Sequence, residues 1–190
     1  MKLVLATHNA GKLAELSAIL EPAVAGLDLV GYDGPEPVED GISYLDNALI
    51  KARAAFAHTG LPSIADDSGL AVEILGGSPG IFSARWAGGR DNIENRRLLL
   101  KQLGDVRDEH RAAAFICTIA YVDSENELSF TGFWHGSIAR EERGTNGHGY
   151  DPVFIPEGFA LTAAELESEV KNSLSHRASA LSQLIDYLHR

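Results

Sequence analysis

The segment SIADDSGL, residues 63–70, places two adjacent carboxylates, Asp66 and Asp67, between an apolar run and a glycine. The residues that follow, 70–75, predict a strand that ends at the turn Gly76-Gly77. Adjacent carboxylates at a strand end repel each other unless a cation or hydrogen-bond donors hold them. A hard divalent ion such as Mg²⁺, which prefers oxygen ligands, would suit them. Because Asp, Ser and Gly also form ordinary turns, this segment alone leaves a metal site and a plain turn both open.

The composition is that of a globular domain with an acidic surface. The chain has 190 residues, of which 45% are hydrophobic and 23% charged, and this predicts one domain with a substantial core. The net charge of −11 argues against binding nucleic acid polymers or anionic membranes. The single cysteine, Cys117, excludes an internal disulfide and a thiolate zinc site. Because no stretch has transmembrane length or the apolar core of a signal peptide, we expect a cytoplasmic protein.

The N-terminal segment has the pattern strand, polar loop, helix. Residues 2–6 are an apolar run typical of a buried strand, residues 7–12 are polar, and residues 12–20 have helical spacing. Such an arrangement aims backbone N–H groups at an anion. It is not a P-loop, because the first glycine and the Ser/Thr of that motif are missing. A cation at a helix start, as at Lys12, is unfavourable without an anion nearby, which favours a phosphate contact over an ordinary turn.

Helix and strand signals alternate in the first half of the chain, and a long hairpin follows. This order predicts an α/β fold with a mixed sheet in a single domain over residues 1–190. Ser43 and Asp91 each have an acidic residue three positions later, as in a capping box. Strands are predicted at 27–32, 112–122 and 127–139, and helices are predicted to begin near Ser43, Asp91, Thr162 and Ser175.

A second informative segment, GTNGHGYDP at residues 144–152, combines three glycines with two rings. The glycines indicate unusual backbone angles or close approach to a ligand. His148 and Tyr150 offer planar surfaces on which a base could stack. A flexible hairpin loop would explain the glycines but not the rings. Further on, Lys171 and Arg177 are placed at a helix N-terminus, where an anion and a solvated basic turn explain them equally well.

Three kinds of side chain together indicate the chemistry of one ligand. They are the cations Lys12, Lys51, Lys171 and Arg177, the carboxylates Glu39, Asp66 and Asp67, and the rings of His148 and Tyr150. Phosphates, a metal and a ring make a nucleoside triphosphate with Mg²⁺. No nucleophile elbow surrounds Ser68, and Cys117 lies in an apolar run. A carboxylate that activates water beside a metal is therefore favoured over covalent catalysis.

Five motifs, in order along the chain, resemble those of the inosine triphosphate pyrophosphatase (ITPase) family, the dITP/XTP pyrophosphatases. They are residues 6–15 (ATHNAGKLAE), 39–48 (EDGISYLDNA), 65–70 (ADDSGL), 147–152 (GHGYDP) and 175–177 (SHR). The resemblance implies an elongated two-lobed α/β fold with a central mixed sheet flanked by helices and the active site in the cleft between lobes. It also implies a Mg²⁺-dependent homodimer. Its reaction would be hydrolysis of dITP, ITP, XTP or dXTP to the monophosphate and pyrophosphate, which removes them from the nucleotide pool.

The resemblance further implies a role for each matching residue. Asp67 would be the general base and a metal ligand, Glu39 a second metal group, and Asp66 a supporting one. The base pocket would be the segment 147–151. The residues expected to contact substrate are Thr7, His8, Asn9, Ala10, Gly11, Lys12, Lys51, Ser68, His148, Gly149, Tyr150, Asp151, Lys171, His176 and Arg177. The family usually has Phe where this chain has His148, whose imidazole stacks less strongly and can titrate.

The chemistry of purines supplies a hypothesis for selectivity. Hypoxanthine and xanthine carry a keto oxygen where adenine carries an amino group, so donors built for that oxygen would be left unpaired against adenine. Guanine shares the keto group and would have to be excluded at its two-amino position. Two alternatives stay open: a pyrophosphatase for modified pyrimidines or another nucleotide, and a regulator that senses a triphosphate without cleaving it. The Asp66-Asp67 pair favours an enzyme, since a sensor needs no base.

Overall fold

The computed structural model describes residues 1–189. Strands and helices alternate along the first half of the chain, as the sequence pattern predicts. In chain order, the elements are β1 (Lys2–Leu5), α1 (Ala10–Ala23), β2 (Asp28–Gly31), α2 (Tyr44–Thr59), β3 (Ser63–Val72), α3 (Asn92–Gln102), β4 (Ala112–Val122), β5 (Glu127–Ile138), β6 (Phe154–Pro156), α4 (Ser168–Leu174) and α5 (His176–Leu188). None of the helices within residues 1–189 has the length and apolarity needed to span a bilayer.

The strands form a six-stranded mixed sheet in the order β2-β1-β3-β4-β5-β6. β1 is parallel to β2, with Leu3 opposite Leu29, and also parallel to the start of β3, with Leu5 opposite Ile64. β6 is antiparallel to β5. The prediction of an α/β fold with a mixed sheet is therefore confirmed.

The chain divides into two compact units, each with its own core. Unit 1 comprises Met1–Asp67, Cys117–Thr131 and the residues from Ser179 on, and unit 2 comprises Ser68–Ile116 and Gly132–Ala178. β3, β4 and β5 each contribute residues to both units. That the whole chain acts as a single domain stays a prediction.

The core of unit 1 lies between its strands and the apolar faces of α1 and α5. Its fully buried side chains come from both helices and from the parallel strands: Leu3, Leu5, Leu16, Leu20, Ile64, Leu181 and Leu184. Burial of a leucine-sized side chain contributes roughly 1.5–3 kcal/mol. A smaller cluster packs Ala48 and Ala52 of α2 against Ala65 of β3. Because alanines bring α2 close to the strand, polar residues of α2 can reach the backbone and side chains of β3.

The core of unit 2 is aromatic. The rings of Phe115, Trp134 and Phe154 contact one another, with centroid separations between 4.7 and 6.3 Å. Beside them, Arg111 is fully buried, and its guanidinium donates to the carbonyl oxygens of Leu103, Ile138 and Ala139. A buried cation is tolerated here because its N–H groups meet carbonyl acceptors.

Several predicted boundaries are confirmed because their signals are local. α2 follows the N-cap Ser43, whose Oγ accepts from the N–H of Asp46, and α3 follows the N-cap Asp91. β4 spans the predicted residues, and β5 ends one residue earlier than predicted. The last helix begins at His176, one residue after the predicted start at Ser175.

Other local predictions were wrong. Asp66 and Asp67 lie inside one continuous strand, β3, rather than at a strand end, because each has a partner that offsets the repulsion, as described below. The predicted helix near Thr162 does not form, because the N–H groups of Ala163 and Ala164 donate to carbonyls of Phe154 and Asp151 instead.

The placement of Lys171 was also wrong. This residue lies in the last turn of α4, a helix that the sequence pattern did not reveal, and not at a helix N-terminus. A cation is favourable in a last turn, where the helix dipole is negative. The dipole argument for an anion at Lys171 therefore does not hold.

Candidate active site

The alternation of β3 separates the two adjacent carboxylates. Successive side chains of a strand point to opposite faces. Ile64 packs in the cluster that contains α1, whereas Ala65 packs in the cluster that contains α2. Asp66 continues the first face and Asp67 the second. The carboxylates thus have different environments, although they are neighbours in the sequence.

Asp66 forms an ion pair with Lys12 of α1. The Asp66 residue is only 6% exposed, so its charge depends on this partner. The start of α1 is itself capped, because Oδ1 of Asn9 accepts from the N–H groups of Gly11 and Lys12. These are the N–H groups that the sequence pattern assigned to a phosphate. An anion at this end of α1 would therefore meet the Lys12 side chain rather than uncapped amides.

A cavity of about 170 Å³ in unit 1 brings together many of the predicted residues. Lys51 reaches it from α2 and lies 3.4 Å from a carboxylate oxygen of Glu39. The lining residues are Ala6, Thr7, His8, Lys12, Tyr32, Glu36, Pro37, Glu39, Lys51 and Asp66. Two lysines, each facing its own carboxylate, give the cavity a set of charges that an anionic ligand could rearrange.

His8 and Tyr32 form an aromatic edge of this cavity. Their rings are stacked with centroids 5.5 Å apart. The Tyr32 hydroxyl donates to the carbonyl of Pro35, and Nε2 of His8 lies 2.9 Å from the carbonyl oxygen of Gly34. The His8 contact attaches the loop that precedes α1 to the loop after β2, and the Tyr32 bond closes the loop after β2 on itself.

Asp67 contacts α2 through a buried asparagine. Nδ2 of Asn47 donates to Oδ2 of Asp67 at 3.1 Å, and Oδ1 of the same asparagine accepts from the N–H of Gly41 at 2.9 Å. The hydroxyl of Tyr44 is buried and has no hydrogen-bond partner within residues 1–189. Burial, and secondarily the negative charge of Asp67, raise the pKa of Tyr44. The base predicted from the sequence is thus a carboxylate oriented by a neighbouring amide.

The oxygen donors of unit 1 suit Mg²⁺, which binds carboxylates and usually keeps several waters and substrate phosphates as ligands. Residues 1–189 contain no group of three or more His, Cys, Asp and Glu side chains that could hold a metal ion by themselves. Because Asp66 is engaged by Lys12, the donor set fits an ion that would take one or two carboxylates together with substrate. The metal roles of Glu39, Asp66 and Asp67 stay predictions.

The glycine-rich segment of unit 2 is organised by Asp151. Its Oδ2 accepts from the N–H of His148 and from Nζ of Lys171, both at 3.0 Å. A Cβ on Gly147, which has a φ of +76°, would lie 2.0 Å from the same oxygen. Arg96 donates to the carbonyl of Gly149. The segment is therefore a hydrogen-bonded turn and not a flexible hairpin loop.

The two rings of this segment differ in exposure. His148 is exposed, whereas Tyr150 is buried in the core of unit 2 and donates its hydroxyl to the carbonyl of Ser83 at 2.9 Å. Burial raises the pKa of Tyr150, so its hydroxyl stays a donor. Of the two rings, the one with a surface available for stacking is His148. Substrate contacts of both residues stay predictions.

The SHR motif opens α5. Oγ of Ser175 accepts from the N–H of Ala178 and so caps the helix. The His176 ring stacks on Phe115 with centroids 5.0 Å apart and planes at 14°. Arg177 is the second residue of α5, at the end where the helix dipole favours an anion.

The structure thus gathers many of the predicted residues into two sets, one in each unit. Ser68 lies in the part of β3 that belongs to unit 2. In unit 1, every predicted residue except Asp67 lines the cavity or lies at the start of α1, and Asp67 follows Asp66 in β3. In unit 2, His148, Asp151 and Lys171 share one network. That both sets contact one substrate stays a prediction.

The sequence pattern did not reveal the contacts of Asn47 and Tyr32. Asn47 is 3% exposed, although asparagine is usually on the surface. A sequence signal did exist, since Asn47 precedes Ala48 on the inner side of α2 and is an unfavourable residue inside a helix. Tyr32 lies at the end of the predicted second strand and gave no such signal.

Comparison with known proteins identifies the family. A model of the Ham1 family matches residues 3–187. The dITP/XTP pyrophosphatase of Leifsonia xyli subsp. xyli is 56% identical over 190 residues, covering 99% of this chain and 96% of that protein. The crystal structure of the nucleoside-triphosphatase / dITP/XTP pyrophosphatase from Mycobacterium abscessus is 50% identical with a TM-score of 0.84, and covers 97% of this chain and 98% of that one.

A HAM1 protein from Coxiella burnetii has a TM-score of 0.93 at 40% identity, covering 100% of this chain and 98% of that one. These matches confirm the α/β fold class and the family resemblance drawn from the five motifs. The chain belongs to the Ham1 family.

Proposed function

We propose that this chain is a nucleoside-triphosphate pyrophosphatase that hydrolyses dITP, ITP, XTP and dXTP to the monophosphate and pyrophosphate. The names of its relatives support the activity, since proteins 56% and 51% identical to it are dITP/XTP pyrophosphatases. The observation that carries the proposal concerns Asp67, whose carboxylate accepts a hydrogen bond from an amide. The preceding residue, Asp66, lines a cavity that two lysines also line.

The lysines of the cavity account for binding of the phosphate tail. Lys12 pairs with Asp66, and Lys51 pairs with Glu39. Phosphate oxygens compete for such cations because an ionised acceptor forms strong, charge-assisted hydrogen bonds with an ammonium group. An ammonium group has three N–H donors, so Lys12 can keep its contact with the buried Asp66 while it donates to a phosphate oxygen. The pair of Lys51 with the more exposed Glu39 can open.

Asp67 is the general base of the proposed reaction. Water attacks a phosphorus atom of the α–β anhydride, a P–O bond to water forms, and the bond from that phosphorus to the bridging oxygen breaks. The water proton passes to the Asp67 carboxylate, and the electron pair of the broken bond stays on the bridging oxygen. A positioned base of this kind contributes typically about 10²–10⁴-fold to the rate.

Mg²⁺ is the proposed cofactor, held by Asp67 and Glu39, with Asp66 in support. When bound, the ion would neutralise charge on the phosphate oxygens. Lys12 and Lys51, which line the cavity, would stabilise the same negative charge. Their positions are fixed by the backbones of α1 and α2.

In this proposal, residues of unit 2 bind the purine ring of the substrate. The exposed ring of His148 offers a stacking surface, and Asp151 holds the backbone that carries this ring through the His148 N–H. Selectivity for keto purines would come from donors that adenine leaves unpaired, a penalty of about 1–3 kcal/mol for each buried group. We further propose that the chain acts in the cytoplasm as a homodimer on free nucleotides.

The test is pyrophosphate release from ITP, dITP, XTP, GTP and ATP, with and without Mg²⁺. We expect turnover of the first three and little turnover of GTP and ATP. The variant Asp67→Asn should lose about 10²–10⁴-fold in kcat, and its circular dichroism spectrum should match that of the unchanged protein. Asp105→Asn, at an exposed carboxylate, is the control and should keep full activity.

Binding of ITP without release of pyrophosphate would instead support the sensor alternative. Comparable rates with all five nucleotides would contradict the selectivity. Near-normal turnover by Asp67→Asn would remove this residue from the role of base.

A further inference from the structure

Resting on the proposed function, we infer that Asn47 is a positioning residue, which acts through Asp67 by fixing the orientation of its carboxylate. Asn47 lies in the first turn of α2 and is 3% exposed. Its two polar atoms have different partners: Nδ2 donates to Oδ2 of Asp67, and Oδ1 accepts from the N–H of Gly41. One buried amide thus joins the base to the loop that carries Glu39.

The hydrogen-bond pattern permits only one orientation of the Asn47 amide. A flipped amide would turn its NH₂ group toward the N–H of Gly41 and its oxygen toward the Asp67 carboxylate. Donor would then face donor, and acceptor would face acceptor. Each mismatch in a buried site leaves polar groups unsatisfied. The Gly41 N–H therefore fixes the amide, and the fixed amide aims its NH₂ at Asp67.

The packing around Gly41 makes this arrangement rigid. A Cβ on Gly41 would lie 2.5 Å from Cβ of Asp46 and 2.7 Å from Oδ1 of Asn47, so the backbone of the loop rests directly on α2. Gly41 is followed closely by the N-cap Ser43, whose hydroxyl donates to Asp46 at 2.7 Å. The loop and the first turn of α2 form one hydrogen-bonded block.

The orientation of a carboxylate matters for proton transfer. The terminal torsion of an aspartate is broad, so an unrestrained carboxylate samples many rotations. A donor on one oxygen selects one of them. Asn47 donates to Oδ2 of Asp67, whereas the hydroxyl of Tyr44, three residues earlier, makes no hydrogen bond within residues 1–189.

The substitutions Asn47→Asp and Asn47→Ala separate positioning from loop anchoring. The aspartate variant keeps an acceptor for the N–H of Gly41 but removes the donor to Asp67. The alanine variant removes both. A positioning role predicts that both variants lose about 10–100-fold in kcat, the usual effect of losing a residue that orients a reactive group. The KM for dITP should stay unchanged, because Asn47 does not line the cavity.

Asn95 supplies a matched control, since it is a buried asparagine of α3 with the same bonding pattern. Its Oδ1 accepts from the N–H of Ala87, and its Nδ2 donates to the carbonyl of Ala84, with no carboxylate involved. Asn95→Asp should lower the midpoint of thermal unfolding, as Asn47→Asp does, but leave kcat unchanged. Affinity for a non-hydrolysable dITP analogue, measured by calorimetry, should be the same for Asn47→Asp and the unchanged protein.

The outcomes are distinguishable from failure of the proposed function. If the unchanged protein does not hydrolyse dITP or XTP, the proposed function fails and the inference fails with it. If the unchanged protein is active and Asn47→Asp retains its kcat while Asn47→Ala loses it, Asn47 only anchors the loop and the inference is overturned. An equal loss of kcat in Asn95→Asp would also overturn it, because the loss would then follow from reduced stability.

Discussion

Lys51 in unit 1 and Lys171 in unit 2 have almost equal exposure but differ in what surrounds them. Their side chains are 16% and 14% exposed. Lys51 lies 3.4 Å from Glu39, a carboxylate that is 35% exposed and lines a cavity. Lys171 lies 3.0 Å from Asp151, which is 11% exposed and also accepts from a backbone N–H. One pair can open to a ligand, whereas the other completes a closed network.

The difference shows how little a lysine near a loop reveals by itself. Both lysines were expected to contact substrate. Lys51 lines the cavity, and its contact with substrate stays a prediction. Lys171 pairs with Asp151 within unit 2. Separating a lysine from a partly exposed carboxylate costs little free energy, because water solvates both charges. A buried one does not have that alternative.

The largest expected effect is on catalysis by Lys51→Met. Loss of one positive group that stabilises the developing phosphate charge should lower kcat/KM for dITP by about 10²–10³-fold. The free energy of unfolding should change by less than about 1 kcal/mol, because the pair with Glu39 is partly solvated. Steady-state kinetics and urea denaturation measure the two quantities. Lys101→Met, at an exposed lysine of α3, is the control for a change of net charge.

If Lys51→Met instead lowers stability by several kcal/mol, its pair with Glu39 is structural, and the contrast with Lys171 disappears.

The next effect is on stability, from Lys171→Met. Removing this cation leaves the nearly buried Asp151 carboxylate without its charged partner, and the free energy of unfolding should fall by about 3 kcal/mol. The double variant Lys171→Met/Asp151→Asn should recover part of the loss, because a neutral amide can still accept from the N–H of His148. Urea denaturation of the four proteins in this cycle gives the coupling energy. A coupling near zero would mean that the pair contributes nothing to the turn.

Elements with local signals were predictable from the sequence. α2 and α3 begin at capping residues whose partner lies three positions away, and β4 and β5 are long runs of strand-forming residues. The capping contacts that start the two helices lie within a few residues along the chain. The two strands pair over longer separations, but their runs of strand-forming residues indicate them directly.

The partners of the candidate site residues were not predictable, because they are distant along the chain. Asn47 and Asp67 are 20 residues apart, and so are Asp151 and Lys171. The acidic pair of β3 was predicted to lie at a strand end, because two adjacent carboxylates repel each other. The cation that offsets this repulsion, Lys12, lies 54 positions before Asp66 and could not be assigned to it from the sequence. The residue types indicated which side chains could bind or react with a ligand. The fold determines which of those side chains already have a partner within the protein.

Tyr150 illustrates the same limit for a ring. Its position among glycines indicated an exposed stacking surface, but its hydroxyl reaches the carbonyl of Ser83, 67 residues earlier, and its ring completes the core of unit 2. A tyrosine is able to do so because its apolar body can be buried while its hydroxyl finds an acceptor. The sequence contains no local signal for that acceptor.

The smallest expected effect distinguishes two glycines within the turn of unit 2. Gly147 and Gly149 have φ angles of +76° and +60°, so alanine at either position adopts an unfavourable backbone conformation. They differ in space: a Cβ on Gly147 would lie 2.0 Å from Oδ2 of Asp151, whereas a Cβ on Gly149 meets nothing within 4 Å. Both variants should lose about 1 kcal/mol to the backbone term.

Gly147→Ala should lose a further amount of about 1–3 kcal/mol, because the added methyl group forces Asp151 and Lys171 apart. Thermal and urea unfolding of the two alanine variants measure the difference, in which the backbone term cancels. In the background of Lys171→Met the extra cost at Gly147 should shrink, since the ion pair that the methyl group disrupts is already absent. Equal destabilisation by the two substitutions would show that the turn has room to move, and the closed network assigned to unit 2 would then be no more rigid than the cavity of unit 1.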